Sequence, residues 1–376
     1  MSRVKLGDVA REHKETIKGD KSNYPIVGLE HLIPENIRLT QWDLNKENTF
    51  TKIFRKGCVL FGRRRAYLKK AVYADFDGIC SGDITVIEAI PEKILPELLP
   101  FVIQNDDLFD YAVGKSAGSL SPRVKWEHLK NYEFELPDIE RQHELAKMLW
   151  SIVETKESYE RLMAATDELV KSQFIELFGD IHSNPKSWTT KPLKELCDIL
   201  NGYAFKSELY EPTGIRVIRI TNVQKGRVED LDPQFYPISY EKELEKFILY
   251  EGDIVLSLTG NVGRCGLITK DLLPAALNQR VACIRVKEDL INKMFLYSFM
   301  NSSIFENDCI QSSKGIAQKN MSTDWLKEYK MFIPPKKMQD EFVRMVEQSD
   351  KSKFELENCI KNAVSMYKKI LKEYLG

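Results

Sequence analysis

Leu129-Lys130-Asn131-Tyr132-Glu133-Phe134-Glu135-Leu136-Pro137, followed by Gln142 and Glu144, returns as Leu326-Lys327-Glu328-Tyr329-Lys330-Met331-Phe332-Ile333-Pro334, followed by Gln339 and Glu341. Every number grows by 197. Gly118/Gly315 precede the pair, and Lys156/Lys353, Glu176/Glu373 and Gly179/Gly376 continue the same offset. A unit of this size written twice is one structural module used twice.

Upstream of these strings each copy is mixed and β-rich. Short apolar runs, Gly57–Phe61 and Ile84–Ile87, are separated by Gly, Pro, Asn and Asp punctuation. Their counterparts are Gly252–Leu256 and Val281–Ile284. Further upstream Val27–Leu32 pairs with Ile218–Val223, and Leu6–Ala10 with Leu193–Cys197. The offset shrinks in that direction, as insertions in surface loops would produce.

Downstream, each copy predicts one long helix. Pro137 and Pro334 stand just before it, where proline is tolerated. A 4-3 spacing then runs through Leu145, Leu149, Ile152, Lys156, Tyr159, Met163, Thr166, Val170, Gln173 and Leu177. In copy two it runs through Phe342, Val346, Ser349, Lys353, Leu356, Ile360, Ala363, Tyr367, Ile370 and Tyr374. Sustained over about five heptads, this seam predicts a coiled coil. A helix of about 40 residues is roughly 60 Å long. Gly179 and Gly376 suit its C-terminal caps. The cheapest partner for each seam is the other helix, antiparallel because a globular domain lies between them. Seam aliphatics such as Leu149, Met163, Val346 and Ile360 are then expected to be mostly buried. The fold class expected is α+β: two mixed domains, 1–136 and 180–333, and two long antiparallel coiled-coil helices, 137–179 and 334–376, related by a pseudo-two-fold internal repeat. Asp180–Thr190, with Asn184-Pro185-Lys186, reads as the loosest joint.

Composition sets bounds. At 376 residues and 43% hydrophobic content the chain can fill two cores. The first 20 residues are mostly polar, unlike a signal peptide, and no apolar run approaches a membrane span. The seven cysteines lack any CxxC spacing, which fits a reduced, cytoplasmic protein without metal or disulfide framework.

The net charge of −1 argues against a generic nucleic-acid binder, whose charge is broadly basic. The local distribution differs. Lys52, Arg55, Lys56, Arg63, Arg64, Arg65, Lys69 and Lys70 fall within Phe50–Lys70, which has no acid and carries Tyr67 among the bases. Most charge runs are solvated faces. Here Arg63-Arg64-Arg65 follows an apolar strand directly, and a strand that delivers three guanidinium groups into a loop suits phosphate or guanine contact. Lys69 and Lys70 are expected nearer the phosphates, and Ser81 joins the set. Copy two has Ser257-Leu258-Thr259-Gly260-Asn261-Val262-Gly263-Arg264 instead, which matches neither GxxxxGK[ST] nor GxGxxG. Its candidates are Thr259, Asn261, Arg264, Asn278, Gln279 and Arg280. Lys115, Ser119, Ser121 and Arg123, with Lys314, Gln318, Lys319 and Asn320, precede the two helices and complete the list.

Catalytic signatures fail on context. Pro137-Asp138 with Glu154-Thr155-Lys156 matches the letters of a nuclease motif, but its second half lies in the heptad pattern instead of converging on a metal. Asp232-Pro233-Gln234-Phe235 lacks the second proline of an amino-methyltransferase motif and has no Gly-rich cofactor loop before it. The five histidines are scattered without ligand spacing.

Two variable domains, each followed by a long helix of similar sequence, resemble the specificity subunit of type I restriction–modification systems. Gly57–Val72 with Gly78-Ile79-Cys80-Ser81 is similar to the first half of one class of target-recognition domain. Asn184–Ser207 is similar to the start of another. Gly118–Pro137 and Ile316–Pro335 resemble the segments leading into the family's helices, and Lys171–Gly179 the end of its central helix. The resemblance implies a non-catalytic, sequence-specific DNA-binding subunit in a system of defence against foreign DNA. Each domain would read one half of a split target in double-stranded DNA, and the helices would set the spacer. It implies as partners two modification subunits, which use S-adenosylmethionine to methylate adenine, and restriction subunits that translocate DNA with ATP and Mg; this chain would bind no cofactor itself. Copy two departs from copy one in lacking the basic run. The alternative, from another class, is a duplicated coiled-coil scaffold that binds only proteins.

Overall fold

The computed structural model describes residues 2–116, 122–287, 289–313 and 320–376. The chain is a mixed helix-and-sheet protein of two compact units, Met1–Leu162 with Glu355–Gly376, and Met163–Phe354. The two long helices, Ile139–Phe178 and Lys336–Tyr374, each contribute residues to both units.

In unit 1 a four-stranded antiparallel sheet has the order Ala10–Glu12, Ile84–Ala89, Val59–Gly62, Ala71–Tyr73. Val59-Leu60-Phe61 is buried throughout, as a continuous apolar run predicts for a central strand. Successive side chains leave a strand on opposite faces. Val59 and Phe61 join a core with Leu145, Leu149, Leu371 and Leu375 of the long helices, whereas Leu60 joins Val27, Phe54 and Cys80 behind the sheet. That second face is covered by a three-stranded sheet in which Gly78–Cys80 pairs parallel with Ile26–Val27 and antiparallel with Lys52–Phe54. Ser2–Lys5 pairs with Glu133–Leu136 at the root of the first helix.

Unit 2 repeats this order strand for strand: Cys197–Asn201, Val281–Val286, Ile254–Ser257, Cys265–Leu267, all antiparallel. Even the register recurs, with Val59↔Ile87 matched by Ile254↔Ile284. Ile254 and Leu256 face Phe174, Phe178 and Phe342, and Val255 faces Ile218 and Leu277. The second sheet here gains a strand, Phe235–Tyr236, on Ile215–Ile218. This addition lies in the stretch where the sequence offset between the copies changes. Gly57 and Gly252 both turn the chain into the central strand with left-handed φ of 95° and 83°, which explains glycine at both places.

The roots of the helices carry a repeated clasp. Gln142 is 3% exposed; its Nε2 donates to the Pro137 carbonyl at 2.9 Å and its Oε1 accepts from the Leu95 amide at 2.8 Å. Gln339, 1% exposed, donates to the Pro334 carbonyl at 2.7 Å and accepts from the Asn292 amide at 2.8 Å. Both amides are satisfied in both directions, as buried polar groups must be.

No seam position of either helix is exposed. In unit 1 the Arg141 guanidinium of the first helix lies 4.8 Å over the ring of Tyr374, near the end of the second. In unit 2 Phe174 and Phe178, near the end of the first helix, each stand 5.5 Å from Phe342, near the start of the second, and Lys353 bonds Asp167 at 3.1 Å. Burial along the seam is less uniform than its periodicity predicts. Leu149 is fully buried, but Met163, Val346 and Ile360 are only half-buried. Leu149 has the unit 1 sheet and helices packed on it in addition to the helical seam.

The expected loose joint at Asp180–Thr190 is tied down. Asp180 accepts from the His182 and Ser183 amides, Asn184 bonds Trp188 through both backbone groups, and Lys186 Nζ reaches the Glu176 and Leu177 carbonyls. Local side-chain bonds of Asp and Asn substitute here for regular structure. Gly179 closes the helix with φ of 82°. All seven cysteines are free.

Gln142→Ala should leave the Leu95 amide and the Pro137 carbonyl buried without partners, lowering stability by about 1–3 kcal/mol. Glu144→Ala, on an exposed side of the same turn, should stay within about 0.5 kcal/mol. Denaturant unfolding of the two variants checks the difference.

Candidate nucleic-acid interface

The central strand of unit 1 ends at Gly62, and the three arginines follow as the chain leaves the sheet. The Arg63 amide donates to the Asp83 carbonyl at 3.0 Å, and its own carbonyl accepts from the Val124 amide at 2.9 Å. Arg64 makes an isolated antiparallel bridge with Arg123. The Arg65 amide donates to the Pro122 carbonyl at 2.8 Å. Three segments remote in sequence, 63–65, 81–83 and 122–124, thus meet at one node.

Both bonds of Arg63 and the bridge of Arg64 have counterparts in unit 2. The Leu258 amide donates to the Arg280 carbonyl at 3.0 Å, and its carbonyl accepts from the Met321 amide at 2.9 Å. Thr259 bridges Asn320 as Arg64 bridges Arg123. Arg280 stands in the turn Asn278–Arg280, whose Asn278 amide donates to the Ile218 carbonyl and whose Gln279 amide donates to the Tyr203 carbonyl.

Side chains fill the two nodes differently. Arg123 holds Asp83 through both carboxylate oxygens, Nε to Oδ1 at 2.7 Å and the second nitrogen to Oδ2 at 3.2 Å. Arg64 approaches the same carboxylate at 4.0 Å. The Arg123 guanidinium keeps the Asp83 carboxyl below its ordinary value, so the group stays charged at neutral pH. The Arg63 Nε is buried without a hydrogen-bond partner. Arg65 is exposed, and its guanidinium has no side-chain partner among the described residues. Arg65 and Lys69 both adopt left-handed backbone, φ 54° and 49°, around the short turn Ala66–Leu68. That conformation is uncommon outside glycine and concentrates at functional sites. It sets Tyr67 and Leu68 outward, 56% and 39% exposed.

Lys69 and Lys70 are held apart from the arginines. Lys69 pairs with Asp106, and Lys70 Nζ donates to the Leu29 carbonyl at 2.7 Å. The Ser81 hydroxyl accepts from the Asp83 amide at 3.2 Å and so shapes the turn. Lys115 lies 5.7 Å over the Tyr111 ring. In unit 2 Arg264 bonds Gln224 at 2.7 Å, the Thr259 hydroxyl is buried without a partner, and Asn261, Gln279, Arg280 and Asn320 are exposed. Ser119, Ser121, Lys314, Gln318 and Lys319 lie outside the described residues. The residue that sequence reasoning missed is Asp83. An isolated acid beside a basic run carries no signal by itself, but the 197-residue offset places it opposite Arg280.

Chemically, each node offers guanidinium and amide donors, with the Ser81 hydroxyl in unit 1 and the Thr259 hydroxyl in unit 2. Among the described residues His13, Cys58 and Glu88 lie close enough to hold a metal ion. The His13 ring nitrogens already bond Glu88 at 2.8 Å and Glu15 at 3.3 Å, and the Arg11 guanidinium pairs with Glu88, so these ligand atoms already have partners.

Comparison with known proteins agrees with this architecture. The family model of the type I restriction modification DNA specificity domain matches residues 1–164 and again 185–366, and the chain belongs to that family. The specificity subunit of the type I restriction enzyme MjaVIII from Methanocaldococcus jannaschii is 26% identical over 274 residues, covering 68% of this chain and 64% of that protein. The EcoAI specificity subunit from Escherichia coli is 30% identical over 183 residues, covering 48% of this chain and 31% of that protein. The fold matches the type I S subunit from M. genitalium with a TM-score of 0.59 at 13% identity, over 100% of this chain and 96% of that one. A chain from an assembled type I restriction–modification system matches with a TM-score of 0.58 at 20% identity, over 99% and 97%.

Arg65→Ala should weaken duplex binding on all sequences alike and reduce the slope of log affinity against log salt by about one. Titration of a labelled duplex at several salt concentrations measures this; an unchanged slope would identify the basic run as solvated surface.

Proposed function

We propose that this chain is the DNA-specificity subunit of a type I restriction–modification system. Each unit reads one part of a two-part duplex target, and partner subunits perform the chemistry. The observation that carries this reading is the node built twice with the same backbone bonds and different side chains. A repeated scaffold with unlike contents suits two unlike half-sites, because base edges are read by individual side chains while the scaffold only positions them.

Adenine methylation requires the base to leave the stack, so a separate subunit must hold the duplex. S-adenosylmethionine belongs in this reading to the modification subunits, and ATP and Mg to the restriction subunits. The helices are the docking platform. Met148, Leu162, Leu169, Ile175, Phe354 and Met366 are each 44–59% exposed on them. Exposed apolar residues along both helices favour protein partners. We read the two helices as an antiparallel coiled coil related by a pseudo-two-fold axis, which suits two identical modification subunits. Domain limits of 1–136, 137–179, 180–333 and 334–376 follow from the same reading, as does action in the cytoplasm. Among the described residues no helix is long and apolar enough to cross a membrane.

Adenine methylation mapping in a host carrying this chain with its neighbouring modification gene tests the proposal. A bipartite methylated motif is expected. Protein binding without salt-sensitive duplex binding would favour the scaffold alternative. Four residues inserted after Ala165 add roughly 6 Å of helix and keep its face nearly in phase. The spacer should lengthen with both half-sites still read, and an unchanged spacer would overturn the role of the helices as a ruler.

A further inference from the structure

The positions that face one another in the two nodes carry their charge in different places. In unit 1 the three facing positions are Arg64, Asp83 and Arg123; in unit 2 they are Thr259, Arg280 and Asn320. Either set carries one net positive charge. Beside this set, Arg63 and Arg65 add two further positive charges in unit 1, where the matching Leu258 and Gly260 of unit 2 are neutral, so the sequence-independent attraction to phosphate is stronger in unit 1. What differs is where the guanidinium stands. In unit 1 it is on the flanking positions, with a carboxylate at the turn between them. In unit 2 it is at the turn, between two neutral side chains.

Resting on the reading above, we propose that this turn is the specificity-determining point of each unit. Arg280 reads a guanine in the half-site of unit 2. Asp83 is a positioning residue in unit 1, where it orients Arg123 and Arg64 toward a base. The geometry supports each part. Arg280 is exposed, its guanidinium without a side-chain partner among the described residues, while its carbonyl is fixed by the Leu258 amide at 3.0 Å. A free guanidinium on a fixed backbone matches the O6 and N7 acceptors of guanine in a bidentate fork. Asp83 occupies the same backbone position but is acceptor-only, and both its oxygens hold Arg123. A carboxylate that grips one face of a guanidinium limits its rotamers and leaves its remaining donors aimed outward. Ion pairing of this kind on an exposed surface contributes little to stability, so orientation of the arginines is the more consequential effect.

The experiment uses the full chain assembled with its modification subunits and compares methylated motifs of wild type, Arg280→Ala, Arg280→Lys, Asp83→Asn and Asp83→Glu. Arg280→Ala should erase a guanine preference of tenfold or more at one position of one half-site. Arg280→Lys keeps the charge and loses the fork, so it should relax the same position while duplex affinity and its salt slope hold. Asp83→Asn should relax a position in the other half-site, with binding to unrelated duplex unchanged or tighter because a negative charge is gone, and Asp83→Glu should restore preference in part. A merely structural Asp83 would instead lower the thermal midpoint and weaken binding to every sequence equally, and that result would overturn its assignment. Intact methylation with unchanged motifs in all variants would overturn the whole inference while leaving the DNA-specificity reading in place. A wild-type complex without any bipartite motif would sink that underlying reading itself.

Discussion

Each long helix begins at a buried amide that has no freedom. Gln142 and Gln339 bond the carbonyl of the proline five residues behind and the amide of a residue 47 positions upstream. A glutamine satisfied on both ends in a dry site tolerates little displacement, since moving it leaves three polar groups unpaired. The helix root is thereby tied to the globular part of its unit. The sheet that packs on the helix, and the node at the far end of its central strand, inherit their positions from that tie.

From this frame the sheet does two jobs with one strand. Alternation sends Val59 and Phe61 to the helices and Leu60 to the second sheet, and in unit 2 sends Ile254 and Leu256 one way and Val255 the other. A one-residue slip would exchange these faces and empty both cores, which explains why register survives in both copies. The strand then delivers its next residues, Arg63 and Leu258, to a junction where the amide and the carbonyl of each are both bonded to backbone. Since the backbone is satisfied without their side chains, those side chains are free to differ. The divergence between the copies at these positions has this as its physical licence.

Electrostatics follows the same division. A chain with 55 basic and 56 acidic residues has no global attraction for nucleic acid. The acids are spent locally: Glu15 and Asp77 on Arg55, Asp106 on Lys69, Asp83 on Arg123. Of the eight bases in the run, Arg55, Lys69 and Lys70 thereby have fixed partners, and Lys56 and Arg65 are the exposed ones.

The duplication, the mixed helix-and-sheet character and the two long helices were legible in the sequence, because they depend on local pattern: apolar runs, a heptad and a constant offset. The family resemblance was legible for the same reason. Three things were not. The segment Asp180–Thr190 reads as loose by composition, yet its Asp, Asn and Lys side chains bond back to the chain and hold it. The run Phe50–Lys70 reads as one basic patch, yet tertiary contacts turn Arg55, Lys69 and Lys70 to separate partners. Asp83 reads as nothing, yet folding brings it from 40 residues away to Arg123 and makes it the centre of the node. Periodicity is written in neighbours along the chain and survives without the fold; the partner of a charge is decided only when distant segments meet, and that meeting is set by the buried contacts of the core.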